Sequence, residues 1–125
     1  DGIKIKIGTT EKNNTKVVYA TAKTKIRYTG EDNPLETYTT AIKHFNRYLD
    51  DEVRKCDNFS GSPIMGPEIS VNNLLTKGYT KLEYELFVKI ANPAPIDKVL
   101  KDIGPFIKTV FSKLANVLTE NSFIV

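Results

Sequence analysis

The feature that most constrains this chain is a two-residue alternation of apolar and polar side chains. It runs through residues 3–7, 16–28 and 79–90. Successive side chains of a β-strand point to opposite faces, so this period predicts strands with one apolar and one polar face. The first two segments flank a polar turn over residues 8–15, which predicts a hairpin.

Two further segments follow a helical period instead. Apolar residues recur every three or four positions over 38–53 and over 96–118, which predicts two amphipathic helices. Asn33-Pro34 suits the start of the first helix, because asparagine caps helices and proline fits the first helical position. We expect Asn92-Pro93 to open the second helical region. Gly104-Pro105 interrupts its apolar stripe, which predicts a kink or a break.

One-sided strands and one-sided helices must bury their apolar faces against each other. The sequence therefore predicts a single α+β domain over residues 1–125. Its expected form is a two-layer sandwich, an antiparallel sheet of four to five strands with both helices on one face, in the order ββαββα. Residues 68–75 are predicted to be a short strand, and residues 121–125 either add a final strand or stay unpaired.

The repeated order of hairpin, Asn-Pro and helix suggests an internal duplication. The two Asn-Pro pairs, at 33–34 and 92–93, are separated by an odd number of residues. An odd offset exchanges the two faces of every strand, which speaks against a simple repeat. The sequence leaves duplication and coincidence both open.

Composition limits the class of protein and its compartment. Apolar residues make up 40% of the 125 residues and charged residues 26%, which is typical of a globular domain. The single cysteine, Cys56, excludes an internal disulfide and favours a cytoplasmic compartment. The start at Asp1-Gly2 is neither a signal peptide nor a methionine, which indicates a truncated N-terminus and leaves secretion open. No apolar run reaches the roughly 20 residues of a membrane span.

Positive charge is concentrated at the start of the chain. The net charge is +3 overall, but residues 1–30 carry +5 and residues 31–62 carry −3. By strand alternation, the basic side chains of the first hairpin share the polar sheet face with two aromatic residues. This face is the candidate binding surface, and its members are Lys4, Lys6, Tyr19, Lys23, Lys25, Arg27, Phe87 and Lys89.

No pattern in the sequence predicts a catalytic, metal or cofactor site. His44 has no nucleophile at a recognisable spacing, and Cys56 follows a helix end rather than preceding a helix start. The run Asp50-Asp51-Glu52 points in three directions around a helix, so it does not converge on an ion. Glu83 and Glu85 share a strand face with lysines, which favours cross-strand ion pairs.

The segment 57–67 contains several glycines and prolines and is predicted to be a loop. Its apolar Ile64 and Met65 are candidate partner contacts, or they tuck under a helix.

Three functions remain open from the sequence. The first is a non-enzymatic interaction or assembly module that binds a protein partner or itself, as a homo-oligomer, through the exposed sheet face or edge. The alternative is a basic nucleic-acid-binding module that uses the sheet face. The third is a small-ligand carrier or small enzyme, with space left by Ala20 and Ala22. Abundant isoleucine, lysine and asparagine without tryptophan indicates an AT-rich coding source, such as a low-GC bacterium, its phage or another virus.

Overall fold

A computed structural model describes residues 3–55, 64–76, 79–90 and 95–125. Within them the chain forms an antiparallel sheet and two helices. The elements are β1 (Lys4–Lys12), β2 (Thr15–Tyr28), α1 (Pro34–Lys55), β3 (Ile64–Thr76), β4 (Tyr79–Lys89), α2 (Ile96–Glu120) and β5 (Phe123–Ile124). The sheet order is β1-β2-β4-β3, and the short β5 pairs with the end of β2. The predicted α+β sandwich is confirmed.

The hairpin of β1 and β2 is longer than predicted. β1 continues through the expected turn to Lys12, and a two-residue loop of Asn13 and Asn14 closes the hairpin. Both asparagines have positive φ, 52° and 61°, which suits a tight hairpin turn and which asparagine tolerates better than most residues. The predicted turn region was too wide because polar threonines are acceptable on an edge strand.

The start of α1 follows the sequence prediction closely. The helix begins at Pro34, and the Asn33 Oδ1 accepts hydrogen bonds from the backbone N–H of Leu35 at 2.9 Å and of Glu36 at 3.2 Å. These two donors lack partners inside the helix, so the cap satisfies groups that the helix itself leaves open.

Of the two predicted outcomes at Gly104-Pro105, the break into two helices is wrong. The helix runs from Ile96 to Glu120 with Pro105 inside it. Ile103 and Ile107, on either side of the proline, are almost fully buried and hold both parts of the helix on the sheet. Pro105 has no N–H to donate to the carbonyl of Lys101. Both residues are exposed, so this carbonyl lies on the solvent side of the helix. The helix start follows Pro95, while Asn92-Pro93 lies outside the described residues.

The prediction of a loop through residue 67 is also wrong, because β3 begins at Ile64. Ile64 and Met65 pair with Val88 and Phe87 of β4. A register shift between Met65 and Glu68 accommodates the intervening glycine and proline as a bulge. Pairing with β4 therefore keeps this segment in a strand, although its glycine and proline residues predicted a loop. Whether Ile64 and Met65 contact a partner stays a prediction.

The core lies between the sheet and the two helices. Tyr84 is at its centre. The centre of its ring lies 5.0 Å from that of Phe45 of α1 and 6.0 Å from that of Phe111 of α2, and both contacts are edge to face. Such aromatic pairs contribute beyond the area they bury. Small residues of β2, Ala20 and Ala22, lie beside this cluster and are fully buried.

The chain consists of two similar halves. The first half is β1-β2-α1 and the second half is β3-β4-α2, and an offset of 62 residues carries Pro34 onto Ile96 and Ala22 onto Tyr84. Ala22 and Tyr84 pair with each other across the centre of the sheet, so the two halves are related by an approximate two-fold axis. Because this offset is even, it places each strand residue on the same face as its equivalent. The odd spacing of the Asn-Pro pairs would exchange the two faces.

Candidate functional site

The outer face of the sheet, defined as the face turned away from the helices, carries the basic side chains. On β4 the inward residues Leu82, Leu86 and Val88 are at most 1% exposed, whereas Lys81 and Lys89 on the other side are exposed. Strand alternation therefore separates the two faces as predicted.

We name the exposed cations on the outer face of the first hairpin the basic surface. Two come from β1 and three from β2, and all five side chains are exposed. They are Lys4, Lys6, Lys23, Lys25 and Arg27. Lys4 lies directly opposite Lys23 in the register of the two strands. Like charges that lie directly opposite each other repel, so this pair does not stabilise the pairing of β1 with β2.

The acidic residues of the outer face lie on β4, next to the basic surface. In the register of β4 with β2, Glu83 lies opposite Lys23, and Glu85 lies opposite Thr21. Glu83 also approaches Lys81, with Nζ and Oε1 3.7 Å apart. The lysine side chain is 56% exposed, so this ion pair contributes little to stability. The positive charge of the face is therefore concentrated on the β1–β2 side.

One row of the outer face is aromatic. Gly8, Tyr19 and Phe87 are consecutive cross-strand neighbours. A Cβ at position 8 would lie 2.7 Å from the Tyr19 hydroxyl oxygen, so any residue larger than glycine would require this ring to shift from its place across β1. The ammonium of Lys12 lies 4.2 Å from the centre of the Phe87 ring. One π-face of Phe87 is thus already occupied by a cation.

Two outer-face residues are more buried than alternation predicts. Val17 is 1% exposed and Thr21 is 7% exposed, although both point away from the helices. Tyr19 and Phe87 on the same face are half-buried. This end of the outer face is therefore partly apolar and less exposed than alternation alone predicts.

The remaining candidates from the sequence do not gather into a site. His44, Asp50 and Asp51 are exposed on α1. Cys56 lies outside the described residues. Within the part of the chain that the structure describes, no three His, Cys, Asp or Glu residues are grouped closely enough to hold a metal ion.

Sequence reasoning missed one partly buried polar contact. The Tyr84 hydroxyl donates to Asn46 Oδ1 at 2.6 Å, and Asn46 lies at the border of the apolar stripe of α1. Burial, with a smaller contribution from Asp50, raises the pKa of Tyr84 well above its usual value. An asparagine beside an apolar stripe was the only signal, and its partner is 38 residues away.

A second tyrosine is buried without such a contact. The Tyr38 hydroxyl has no hydrogen-bond partner among the described residues, and burial raises the pKa of Tyr38 to about 12. Its ring packs edge to face on Phe123 at 6.1 Å. Both tyrosines belong to the core rather than to an exposed site.

A groove of about 410 Å³ lies on the surface where α1 and α2 meet. Its lining residues come from the helices alone and are Tyr48, Lys108, Thr109, Ser112, Lys113 and Asn116. Ala20 and Ala22 are not among them, since both pack inside the core. The alanines therefore do not line this groove.

No helix in the described ranges combines the length and apolar character needed to cross a membrane. The chain was also compared with protein families, with curated proteins and with solved structures, and none of the three comparisons found a match.

Proposed function

We propose that this chain is a non-enzymatic interaction module that binds an acidic protein partner through the basic surface. The observation that carries the proposal is the exposure of five cations on one sheet face, side by side on β1 and β2. The described helices cover only the opposite face of the sheet. Charge complementarity of this kind increases association rates and selects the partner.

The aromatic row supports a protein partner over a nucleic acid. Single-stranded nucleic acids bind sheet faces by stacking bases on open aromatic rings. On this face the Tyr19 ring lies over Gly8, and the Lys12 ammonium lies over Phe87. A half-buried aromatic row beside a set of cations better resembles the aromatic core and polar rim of a protein interface.

Face-to-face self-association is less favourable than binding of an acidic partner. A symmetric dimer through the basic surface would bring Lys4, Lys23 and their neighbours close to the same residues of the second copy. Like charges at an interface oppose association. The glutamates on β4 do not offset this, since Lys81 and Lys89 flank them on the same strand.

The test uses poly-L-glutamate as an acidic polypeptide probe and an oligothymidylate as a nucleic-acid probe. We expect the protein to bind poly-L-glutamate at low salt, with binding measured by isothermal titration calorimetry. Lys25→Glu combined with Arg27→Glu should weaken binding by at least about tenfold, because both side chains are exposed on the basic surface.

The matched control is Lys43→Glu combined with Lys101→Glu, two exposed helix positions with the same change in net charge. The control should bind poly-L-glutamate nearly as the unmodified protein does. An equal loss in both pairs would mean that net charge alone governs binding, which contradicts the proposal. Binding of the oligothymidylate with no binding of poly-L-glutamate would replace it with the nucleic-acid alternative.

A further inference from the structure

The two edges of the described sheet differ in regularity. β1 pairs with β2 in unbroken register from Lys4 to Lys12, and no other described strand lies on its far side. β3, the opposite edge, has register shifts at both ends of its pairing with β4. Bulges of this kind protect an edge from further pairing. β1 is therefore the edge better able to accept another strand.

The pattern of backbone hydrogen bonds identifies the open groups of β1. The backbone N–H of Ile90, just after β4, donates to the Lys16 carbonyl at 3.0 Å, so Lys16 faces β4. In an antiparallel ladder successive residues face alternate neighbours, so Thr15 and Val17 face β1. Their partners Lys12 and Thr10 are bonded to β2. The intervening residues, which are Ile5, Ile7, Thr9 and Glu11, therefore direct their N–H and C=O groups to the open edge.

The side chains of β1 differ between its two faces. Lys4 and Lys6 are exposed on the outer face. On the inner face Ile3 and Ile7 pack partly against the core, but Ile5 remains 36% exposed. A strand added beside β1 would place alternate side chains next to the lysines and next to the isoleucines. Acidic residues would suit the positions beside the lysines, and apolar residues would suit the positions beside the isoleucines.

We infer that the edge of β1 binds an extended segment of a protein partner in which acidic and apolar residues alternate. This inference rests on the proposed function and names the form of the partner. Added strands of this kind gain affinity from backbone hydrogen bonds and specificity from alternate side chains. A second copy of β1 is a poorer occupant, because its lysines would lie beside the lysines of the first.

The probe is a peptide of alternating glutamate and valine, equal in length to β1. Its control has the same composition, with all glutamates preceding all valines. We expect the alternating peptide to bind and the control peptide to bind at least about tenfold more weakly, because only the alternating order places each residue type on its own face. Binding is measured by isothermal titration calorimetry and by NMR shifts of the β1 amides.

The decisive variant is Thr9→Pro, which removes one outward N–H without removing a bond to β2. Proline is tolerated on edge strands, and a circular dichroism spectrum and melting temperature verify that the fold survives. Thr9→Ala keeps the N–H and is the matched control. We expect Thr9→Pro to weaken binding of the alternating peptide by about tenfold or more and Thr9→Ala to leave it unchanged.

Failure of this inference is distinguishable from failure of the proposed function. Equal binding of both peptides, or no effect of Thr9→Pro in a folded protein, overturns edge pairing. Poly-L-glutamate binding that depends on Lys25 and Arg27 would still support the proposed function in that case. Absence of poly-L-glutamate binding would instead overturn the proposed function.

Discussion

The two halves of the chain share an arrangement but differ in which side of the sheet carries the distinctive residues. In the first half the central inner positions of β2, Ala20 and Ala22, are small, and its outer positions from Lys23 to Arg27 are basic. In the second half the inner positions of β4 are large, with Leu82 and Tyr84, and the outer positions mix both charges. The second half thus supplies the centre of the core, and the first half supplies the basic surface.

The largest expected effect concerns the pair at the two-fold centre. Tyr84→Ala should lower the free energy of unfolding by about 3–5 kcal/mol, because it removes the ring between Phe45 and Phe111. Adding Ala22→Tyr should not restore stability, because Asn46 is positioned to accept a hydrogen bond from a tyrosine at position 84 and not from one at position 22. Urea denaturation measures both. Full rescue by the exchange would show that the halves are equivalent in the core.

The second prediction concerns alkaline pH. The phenol of Tyr38 ionises near pH 10.0 in the unfolded chain, whereas burial raises the pKa of Tyr38 to about 12 in the folded protein. The unfolded state therefore loses its proton first, so the free energy of unfolding falls as pH rises from about 10 to 12. The loss from this group is on the order of 2 kcal/mol. Denaturation in Tyr38→Phe should lack this part of the pH dependence, and an unchanged profile would contradict the assignment.

Replacing a buried tyrosine with phenylalanine should affect the free energy of unfolding differently in the two halves. Tyr84→Phe should lower the free energy of unfolding by about 0.5–1.5 kcal/mol, because Asn46 loses its donor. Tyr38→Phe should leave stability unchanged or raise it by about 1 kcal/mol, because a buried hydroxyl without a partner is removed. Thermal denaturation at neutral pH compares them. Equal losses would mean that Tyr38 has a partner that matters for stability.

The helix starts provide a smaller contrast. The 62-residue offset places Pro95 at the position equivalent to Asn33, but α2 has no side-chain cap. Asn33→Ala should therefore lower the free energy of unfolding by about 1 kcal/mol. Pro95→Ala should change it by no more than about 0.5 kcal/mol, because no side-chain hydrogen bond is lost. Similar losses at both positions would remove this difference between the halves.

The smallest expected effect on stability is at the basic surface. Lys25→Glu with Arg27→Glu should change the free energy of unfolding by no more than about 0.5 kcal/mol, because both side chains are exposed. Equilibrium denaturation checks this. A large loss of stability would show that these residues support the fold, and their effect on binding would then be indirect.

Local signals predicted the parts of the fold that depend on local chemistry. The start of α1 followed from Asn33-Pro34, and the two faces of β4 followed from alternation, because caps and strand faces are set by neighbouring residues. β3 was predicted too short, because its glycine and proline indicated a loop and its pairing with β4 is non-local. The continuity of α2 likewise depended on Ile103 and Ile107 packing on the sheet.

The candidate site was predictable in its charge but not in its aromatic row. Alternation alone placed Lys23, Lys25 and Arg27 on the outer face. The register that brings Gly8 beside Tyr19 required the true position of the hairpin turn, which the sequence left too broad. The contact of Lys12 with Phe87 spans two strand interfaces and has no local signature.

The most direct test of the difference between the halves is an NMR titration of the protein with poly-L-glutamate. If the first half carries the binding surface, the amide signals of Lys23, Lys25 and Arg27 should shift strongly, and those of the helix residues Lys43 and Lys101 should not. Shifts concentrated on α1 and α2, or spread evenly over every exposed lysine, would contradict the account.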